Sequence, residues 1–239
     1  MTLSPNNILY TYDAVINLIK EGYIYIFFNC IFEKGWTLDH AKIYYCQLKN
    51  IADYLINNNL YNKVNVRIFD EKGYCPMDEA DNNNFCGGIN MIMASFNYKG
   101  DIYPCIRYME SSLNGKQEPI KIGNINTGYL KTQKEKENFN LISNITRRSQ
   151  STDECFYCPI AKNCAWCSAY NYEEYGTPNK RTTYTCIMHQ AETLANIYYW
   201  NKLYKYLNID KKFKMYIPKE WALNIIDEKE YNYLFNLSN

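Results

Sequence analysis

Seven of the ten cysteines in this 239-residue chain are spaced like the ligands of metal centres. Four of them form the run Cys-x2-Cys-x5-Cys-x2-Cys over residues 155–167. Two residues between cysteines let both sulfurs turn toward one centre, as in zinc ribbons and ferredoxin-type clusters. Upstream, the segment Gly100–Cys105 combines a hairpin glycine with a proline that keeps the backbone extended before the cysteine. The candidate ligands are Cys86, Cys105, Cys155, Cys158, Cys164, Cys167 and Cys186.

Three interpretations of this pattern compete. Buried structural cysteines would not cluster in this way. A pair of zinc sites is possible, but seven cysteines do not fill two four-thiolate sites without an added ligand. Iron–sulfur clusters tolerate an open or foreign ligand and suit this density of thiolates. The spacing alone does not separate zinc from iron–sulfur.

The whole array, C-x13-G-x4-C, then C-x2-C-x5-C-x2-C, then C, resembles the SPASM domain. That domain is the auxiliary-cluster module at the carboxyl end of many radical S-adenosylmethionine (SAM) enzymes. One branch of these enzymes matures peptides that carry repeated Cys-x-x-x units. The stretches that resemble this branch are CGGINMIMASFNYKGDIYPCIRYMESS, KIGNI and STDECFYCPIAKNCAWCSAYNYEEYGT. In addition, FFNCIFEKGWTLDHAKIYY is similar to the late strands and helices of the barrel in these enzymes.

The resemblance implies two [4Fe–4S] clusters with interleaved ligands. The first ligand set would be Cys86, Cys105 and Cys167. The second ligand set would be Cys155, Cys158, Cys164 and Cys186. The chain departs from the usual pattern because two residues, not three, separate the last two cysteines of the 155–167 run. The fourth position of the first cluster has two candidate occupants, Cys75 and a substrate thiolate.

A second departure concerns catalysis. Radical SAM enzymes hold their catalytic cluster with C-x3-C-x2-C, and no such triplet occurs in this sequence. Cys30 and Cys46 are isolated thiols, which we expect to be small buried apolar groups. The chain is therefore not expected to cleave SAM by itself. SAM would be a cofactor only if a separate chain supplied the amino-terminal half of the barrel.

The elements that position these cysteines begin with a helix–strand–helix–strand order, which is typical of parallel βα architecture. Apolar periodicity predicts a first helix ending near Gly22 and a buried strand over 23–29. Thr37 is predicted to cap a second helix that ends near residues 57–59, and the alternating apolar residues of 64–68 predict a second strand.

Two βα units are too few to close a barrel, and their open strand edges would favour association. We therefore expect the fold to be α/β: a partial (β/α) barrel remnant followed by a small cysteine-rich α+β SPASM domain. The predicted domains are 1–74 (late βα units), 75–207 (SPASM iron–sulfur domain) and 208–239 (helical tail). Further predicted elements are a charged helix and loop over 131–150, a helix from His189 to Leu207, and a short helix opened by Pro218.

Composition narrows the class of partner. The formal charge is +1, from 26 basic and 25 acidic residues, which argues against a nucleic-acid or anionic-membrane binder. No apolar run is long enough to span a bilayer, and the amino terminus does not resemble a secretory signal. We therefore expect a cytoplasmic protein, in which thiols stay reduced.

Three further residues carry smaller signals. His189 follows Cys186 by three residues and is expected to be a helix-capping or surface histidine rather than a ligand. Arg107 is a candidate to hydrogen-bond a cluster or a substrate carboxylate, with a surface ion pair as the alternative. Asn29 ends a predicted barrel strand, where functional side chains collect. Related sulfatase-maturing enzymes place an aspartate after the cysteine that corresponds to Cys105, whereas this chain has Ile106.

Taken together, the sequence predicts the carboxyl-terminal, cluster-binding part of a radical SAM peptide maturase. In intact relatives, a 5′-deoxyadenosyl radical abstracts hydrogen from an acceptor residue and a thioether to a peptide cysteine forms. The expected partners are a precursor peptide and a separate chain with the missing barrel half. The alternative is a non-catalytic peptide-binding module stabilised by zinc or by one cluster.

Overall fold

The computed structural model describes residues 1–80, 82, 86–90 and 92–239. The fold is mixed α and β with 44% of the residues in helices, and the described strands form small sheets rather than a closed barrel. The chain divides into two compact units. The first unit comprises 1–77, 158–165 and 183–239, and the second comprises 78–157 and 166–182. The two compact units do not show which part of the chain corresponds to a barrel or to a SPASM domain, so the predicted domain bounds remain a prediction.

Ten helices and eight strands are described. The helices are α1 Thr11–Lys20, α2 Leu38–Asn57, α3 Glu110–Leu113, α4 Gln133–Ser143, α5 Arg147–Gln150, α6 Asp153–Phe156, α7 Ser168–Tyr175, α8 Cys186–Tyr206, α9 Lys219–Leu223 and α10 Glu228–Ser238. The strands are β1 Thr2–Leu3, β2 Tyr25–Ile26, β3 Asn29–Cys30, β4 Asn65–Val66, β5 Ser95–Phe96, β6 Asp101–Tyr103, β7 Gly123–Asn124 and β8 Gly128–Tyr129. Two 3-10 helices cover Ile8–Tyr10 and Ile106–Tyr108. Within the described part of the chain, no helix is both long enough and apolar enough to cross a membrane.

The first unit contains the predicted parallel strands. β1 pairs with β3, and β2 pairs with β4, both in parallel. The strand predicted over 23–29 is therefore two short strands with different partners. Ile26, Phe28 and Cys30 point into the core, whereas Tyr25 and Phe27 are exposed, as the alternation of a strand requires.

Helix α2 begins where its capping residue predicts. The Thr37 hydroxyl accepts a hydrogen bond from the backbone N–H of His40, and the His40 ring accepts one from the N–H of Thr37. This reciprocal cap satisfies two N–H groups that the first turn leaves without partners. The buried stripe of α2, including Tyr44, Leu48 and Ile51, packs in one core with α8. Helix α8 starts at Cys186, slightly earlier than predicted.

The second unit is built on an antiparallel sheet in the order β5-β6-β7-β8. Gly100 makes the predicted hairpin between β5 and β6 with φ +77°, a conformation that favours glycine. The Asp101 carboxylate at the start of β6 accepts hydrogen bonds from Lys121 at 2.7 Å and from Asn124 at 2.9 Å. These bonds, Lys121 first, lower the pKa of Asp101 to about 2. They hold the strand that leads directly to Cys105.

The predicted helix and loop over 131–150 are two helices, α4 and α5. The core beneath the sheet gathers apolar side chains from the loops, from the sheet region and from α3, α4 and α7. Its buried members are Ile89, Tyr108, Leu113, Ile120, Ile122, Ile142, Ile145, Trp166, Ala169 and Tyr172.

Candidate iron–sulfur site

The structure brings the three thiols of the first ligand set together in the second unit. Cys86, Cys105 and Cys167 are half-buried and pack against the same apolar core. Negative charge on Cys86 raises the pKa of both other thiols, and charge on Cys105 raises that of Cys167. Because charge on one of these thiolates disfavours charge on the others, a shared positive centre would relieve the repulsion between the three.

Cys105 lies directly before the 3-10 helix Ile106–Tyr108, with an extended backbone (φ −161°). Burial raises the pKa of its thiol. The backbone N–H groups of Arg107 and Tyr108 form hydrogen bonds that lower this pKa, and the charge of Cys86 raises it. The sulfur is therefore placed at the amino-terminal end of a helical turn, where backbone N–H groups favour negative charge.

Cys167 is the N-cap residue of α7, and its Sγ accepts a hydrogen bond from the backbone N–H of Tyr170 at 3.4 Å. Burial raises the pKa of this thiol to about 11, although the charge of Arg107 and the Tyr170 N–H act in the opposite direction. With its pKa raised in this way, the Cys167 thiol stays protonated near neutral pH. Binding to a metal removes the proton, and the cap then stabilises the thiolate.

Cys86 receives a side-chain partner rather than a helix terminus. Its Sγ lies 3.6 Å from the Ser168 hydroxyl oxygen, to which the Tyr108 hydroxyl donates a hydrogen bond at 3.0 Å. The Cys86 loop also approaches Cys105 closely, because a Cβ on Gly88 would meet the Pro104 carbonyl oxygen at 3.2 Å. Glycine at this position permits the close approach.

Arg107 adds a positive charge to this group of thiols. Its guanidinium lies 3.7 Å from the buried carboxylate of Glu173 and 5.5 Å from the centre of the Tyr170 ring. Its charge lowers the pKa of Cys105 and Cys167. Arg107 therefore makes the ion pair considered from the sequence, but with a buried partner. Ile106, the position occupied by aspartate in sulfatase-maturing enzymes, is largely exposed.

The second ligand set is divided between the two units. Cys158, Cys164 and Cys186 belong to the first unit, and Cys155 belongs to the second. Cys158 and Cys164 lie on one loop, whose turns are closed by hydrogen bonds from Ala161 N–H to the Cys158 carbonyl and from Cys164 N–H to the Ala161 carbonyl. Cys186 is the first residue of α8. The structure thus groups three of these thiols in one unit.

Cys75 belongs to the first unit and contacts the loop that carries Cys158 and Cys164. The Tyr74 N–H donates to the Lys162 carbonyl, and the Lys162 N–H donates to the Cys75 carbonyl, both at 3.0 Å. The Cys75 thiol itself lies 3.9 Å from the Lys72 carbonyl oxygen, within reach of a weak hydrogen bond.

His189 is buried, and the expectation of a surface or capping histidine is wrong. Its Nε2 lies 2.9 Å from the Ile160 carbonyl oxygen, and its Nδ1 lies 3.2 Å from a Glu192 carboxylate oxygen. Both ring nitrogens face acceptors, which suits the imidazolium. Burial lowers the pKa of His189, but the charge of Cys164, the hydrogen bond and charge of Glu192, and the Ile160 carbonyl raise it to about 9. His189 thereby holds the cysteine-bearing loop to α8.

The isolated cysteines have different environments. Cys30 is buried at the end of β3, as expected, but Cys46 is exposed on α2, so the expectation for Cys46 is wrong. Its position falls on the outward face of α2, between Tyr45 and Gln47. Asn29 uses its side-chain amide locally, donating to the Cys30 carbonyl at 3.0 Å.

Among residues 1–80, 82, 86–90 and 92–239, no group of three or more His, Cys, Asp or Glu side chains closes on a single metal ion. A [4Fe–4S] cluster instead spreads its thiolates over four irons. Cys86, Cys105 and Cys167, with their hydrogen-bond partners and apolar surroundings, suit such a cluster. The sequence did not reveal the hydroxyl groups of Ser168 and Tyr108; their only local signal is that each lies in a helical turn that begins at a candidate ligand.

The chain matches no protein-family model and no curated protein sequence.

Proposed function

We propose that this chain is the auxiliary-cluster portion of a radical SAM peptide maturase, with a SPASM-type domain that binds [4Fe–4S] clusters. The observation that carries the proposal is the convergence of Cys86, Cys105 and Cys167 on one apolar core, each with a hydrogen-bond partner at sulfur. Thiolates that accept several hydrogen bonds in a water-poor site are the ligands that iron–sulfur clusters use.

The residues of the chain would divide the work in this way. The first ligand set holds one cluster, and the core around Tyr108 and Trp166 excludes water from it. When bound, such a cluster supplies electron transfer and, at an iron without a protein ligand, a binding position for a thiolate. Arg107, whose guanidinium lies 3.7 Å from the Glu173 carboxylate, would compensate the negative charge of the thiolates. The second ligand set, Cys155, Cys158, Cys164 and Cys186, would hold the second cluster.

The substrate part of the proposal comes from the sequence resemblance. The substrate would be a ribosomal precursor peptide with Cys-x-x-x repeats, which would gain a thioether crosslink. Since these 239 residues contain no C-x3-C-x2-C triplet, they would not cleave SAM by themselves. A cytoplasmic location agrees with the ten free thiols.

Anaerobic reconstitution with iron and sulfide tests the proposal. The purified chain should take up about eight irons and a similar amount of acid-labile sulfide, with broad absorption in the visible range. Cys46→Ala is the matched control, because this exposed cysteine lies outside both ligand sets. Zinc bound without sulfide would contradict the proposal and support the alternative, a zinc-stabilised peptide-binding module.

A peptide titration tests the substrate class separately. A Cys-x-x-x repeat peptide should change the electron paramagnetic resonance (EPR) spectrum of the reduced clusters, because a thiolate that binds iron alters its electronic structure. The same peptide with serine in place of cysteine is the control. Equal spectra with both peptides would contradict a role in binding the peptide thiolate.

A further inference from the structure

A chain of buried hydroxyl groups ends at Cys86. The Tyr108 hydroxyl donates to the Ser168 Oγ at 3.0 Å, and that oxygen lies 3.6 Å from the Cys86 Sγ. We propose that Ser168, supported by Tyr108, is a positioning residue that donates an O–H···S hydrogen bond to Cys86 and raises the reduction potential of the iron–sulfur centre at Cys86, Cys105 and Cys167. This inference rests on the proposed function, since it requires a cluster at these thiols.

The direction of the two hydrogen bonds follows from the number of protons. The phenol of Tyr108 gives its single proton to Ser168, which leaves the Ser168 proton for another acceptor. A metal-bound Cys86 has no proton and can only accept. The sulfur lies within the range of a hydrogen bond to sulfur, so the order Tyr108 to Ser168 to Cys86 satisfies every group.

Burial of both hydroxyl groups favours the hydrogen-bond order Tyr108 to Ser168 to Cys86. Tyr108 and Ser168 are both 0% exposed, so water does not reach their hydroxyls from the surface. A buried hydroxyl without a hydrogen-bond partner is unfavourable. The Ser168 hydroxyl should therefore direct its proton toward the Cys86 sulfur, on the side that Tyr108 does not occupy.

The same two residues connect all three segments that carry the first ligand set. Tyr108 is the last residue of the 3-10 helix that follows Cys105, and Ser168 is the first residue of α7, directly after Cys167. Their hydrogen bond joins these two segments, and the contact of Ser168 with sulfur joins the third. The Tyr108–Ser168 hydrogen bond thus connects the three segments that carry these sulfurs.

The expected effect on potential follows from charge. Reduction adds one electron to the cluster from the electrode or mediator, with no bond made or broken, and increases the negative charge on the sulfurs. A hydrogen-bond donor stabilises this more negative state and raises the reduction potential. Removing the donor should lower the potential while leaving the number of ligands unchanged.

The test uses Ser168→Ala, Tyr108→Phe and the double variant. All are made in the full chain with Cys158→Ala and Cys164→Ala, so that the signal of the first centre is observed alone. Tyr172→Phe is the matched control, because its hydroxyl lies in the same core but donates to the Glu118 carbonyl. Iron and sulfide contents are measured first, and an anaerobic redox titration followed by EPR gives the midpoint potential.

We expect the midpoint potential to fall in Ser168→Ala, to fall less in Tyr108→Phe and to stay unchanged in Tyr172→Phe. The double variant should match Ser168→Ala, because both residues act through one hydrogen bond to sulfur. Unchanged potentials, or additive shifts in the double variant, would overturn the inference. If Ser168→Ala does not hold iron, Tyr108→Phe against Tyr172→Phe decides, and equal potentials in those two overturn it. A parent chain that takes up no iron and sulfide instead overturns the proposed function.

Discussion

The cysteines of the two units differ in the hydrogen bonds that surround them. In the second unit, the sulfurs of Cys86, Cys105 and Cys167 each have a hydrogen-bond partner, either a serine hydroxyl or the backbone N–H groups of a helical turn. In the first unit, hydrogen bonds hold the backbone of the loop that carries Cys158 and Cys164, through Lys162 and through the Ile160 carbonyl. The hydrogen bonds of the second unit thus involve the sulfur atoms themselves, whereas those of the first unit fix the backbone of the cysteine-bearing loop.

This difference suggests that the two sets of thiols are affected by different changes. Loss of a donor in the second unit should alter the properties of a bound centre. Loss of an anchor in the first unit should alter the stability of the fold first, because Ile160 and the α8 residues next to His189 belong to the core of that unit. The predictions below separate the two.

The largest effect is expected from removing ligands in one unit at a time. Cys105→Ala with Cys167→Ala should abolish the first centre and remove about four irons, and Cys158→Ala with Cys164→Ala should remove a similar number from the second. Iron, sulfide and EPR measurements on each double variant check this, with Cys46→Ala as the control. Loss of all iron in either double variant would contradict two independent centres.

The next effect concerns the anchor of the first unit. His189→Leu removes the cationic partner of Glu192, which also accepts a hydrogen bond from Tyr44 at 3.1 Å. Breaking a buried pair on one side destabilises a protein by about 3–5 kcal/mol, and we expect a loss of this size in the metal-free chain by denaturant unfolding.

The double variant His189→Leu with Glu192→Leu is its control. Replacing both charges by apolar groups leaves no buried charge without a partner, so part of the lost stability should return. If the losses of stability in His189→Leu and Glu192→Leu simply add in the double variant, the two side chains do not interact.

The same pair predicts a dependence on pH. The pKa of His189 is about 9 in the fold, against an ordinary value of 6.5, so folding favours its protonated form. Its contribution is fully present below about pH 6.5 and is lost as the pH rises through about 9. From the size of the shift, about 3 kcal/mol should disappear over this range. Unfolding of the metal-free, reduced chain and of His189→Gln across pH 6–10 measures it; parallel curves for the two proteins would contradict the assignment.

Some of this arrangement could be predicted from the sequence because its signals are local. The Thr37 cap and the apolar stripe that follows specify α2, and Gly100 specifies its hairpin, since the favourable groups lie within a few residues. The strand predicted over 23–29 was harder to predict from the sequence. It consists of β2, which pairs with β4 later in the sequence, and β3, which pairs with β1 earlier in the sequence. Those partners decide where each short strand ends.

The surroundings of the thiols could not be predicted in the same way. Ser168 meets Cys86 across 82 residues of sequence, and His189 meets Ile160 across 29. No local sequence pattern distinguishes a serine that follows a cysteine, and none distinguishes a histidine within a helix. Only the packing of distant segments places Ser168 against the Cys86 sulfur and makes His189 a buried ion-pair partner.

The smallest effect is expected at Cys75, which is one candidate for the fourth ligand of the first cluster. Its thiol lies within reach of the Lys72 carbonyl oxygen and its own carbonyl accepts from Lys162. A thiolate at this position would face a carbonyl oxygen without a proton between them, which is unfavourable. In the chain with Cys158→Ala and Cys164→Ala, the added change Cys75→Ala should therefore leave the iron content and EPR spectrum of the first centre unchanged. Loss of that signal would make Cys75 a ligand; its persistence would leave one iron free for a thiolate from the peptide, which the cysteine and serine peptides then distinguish.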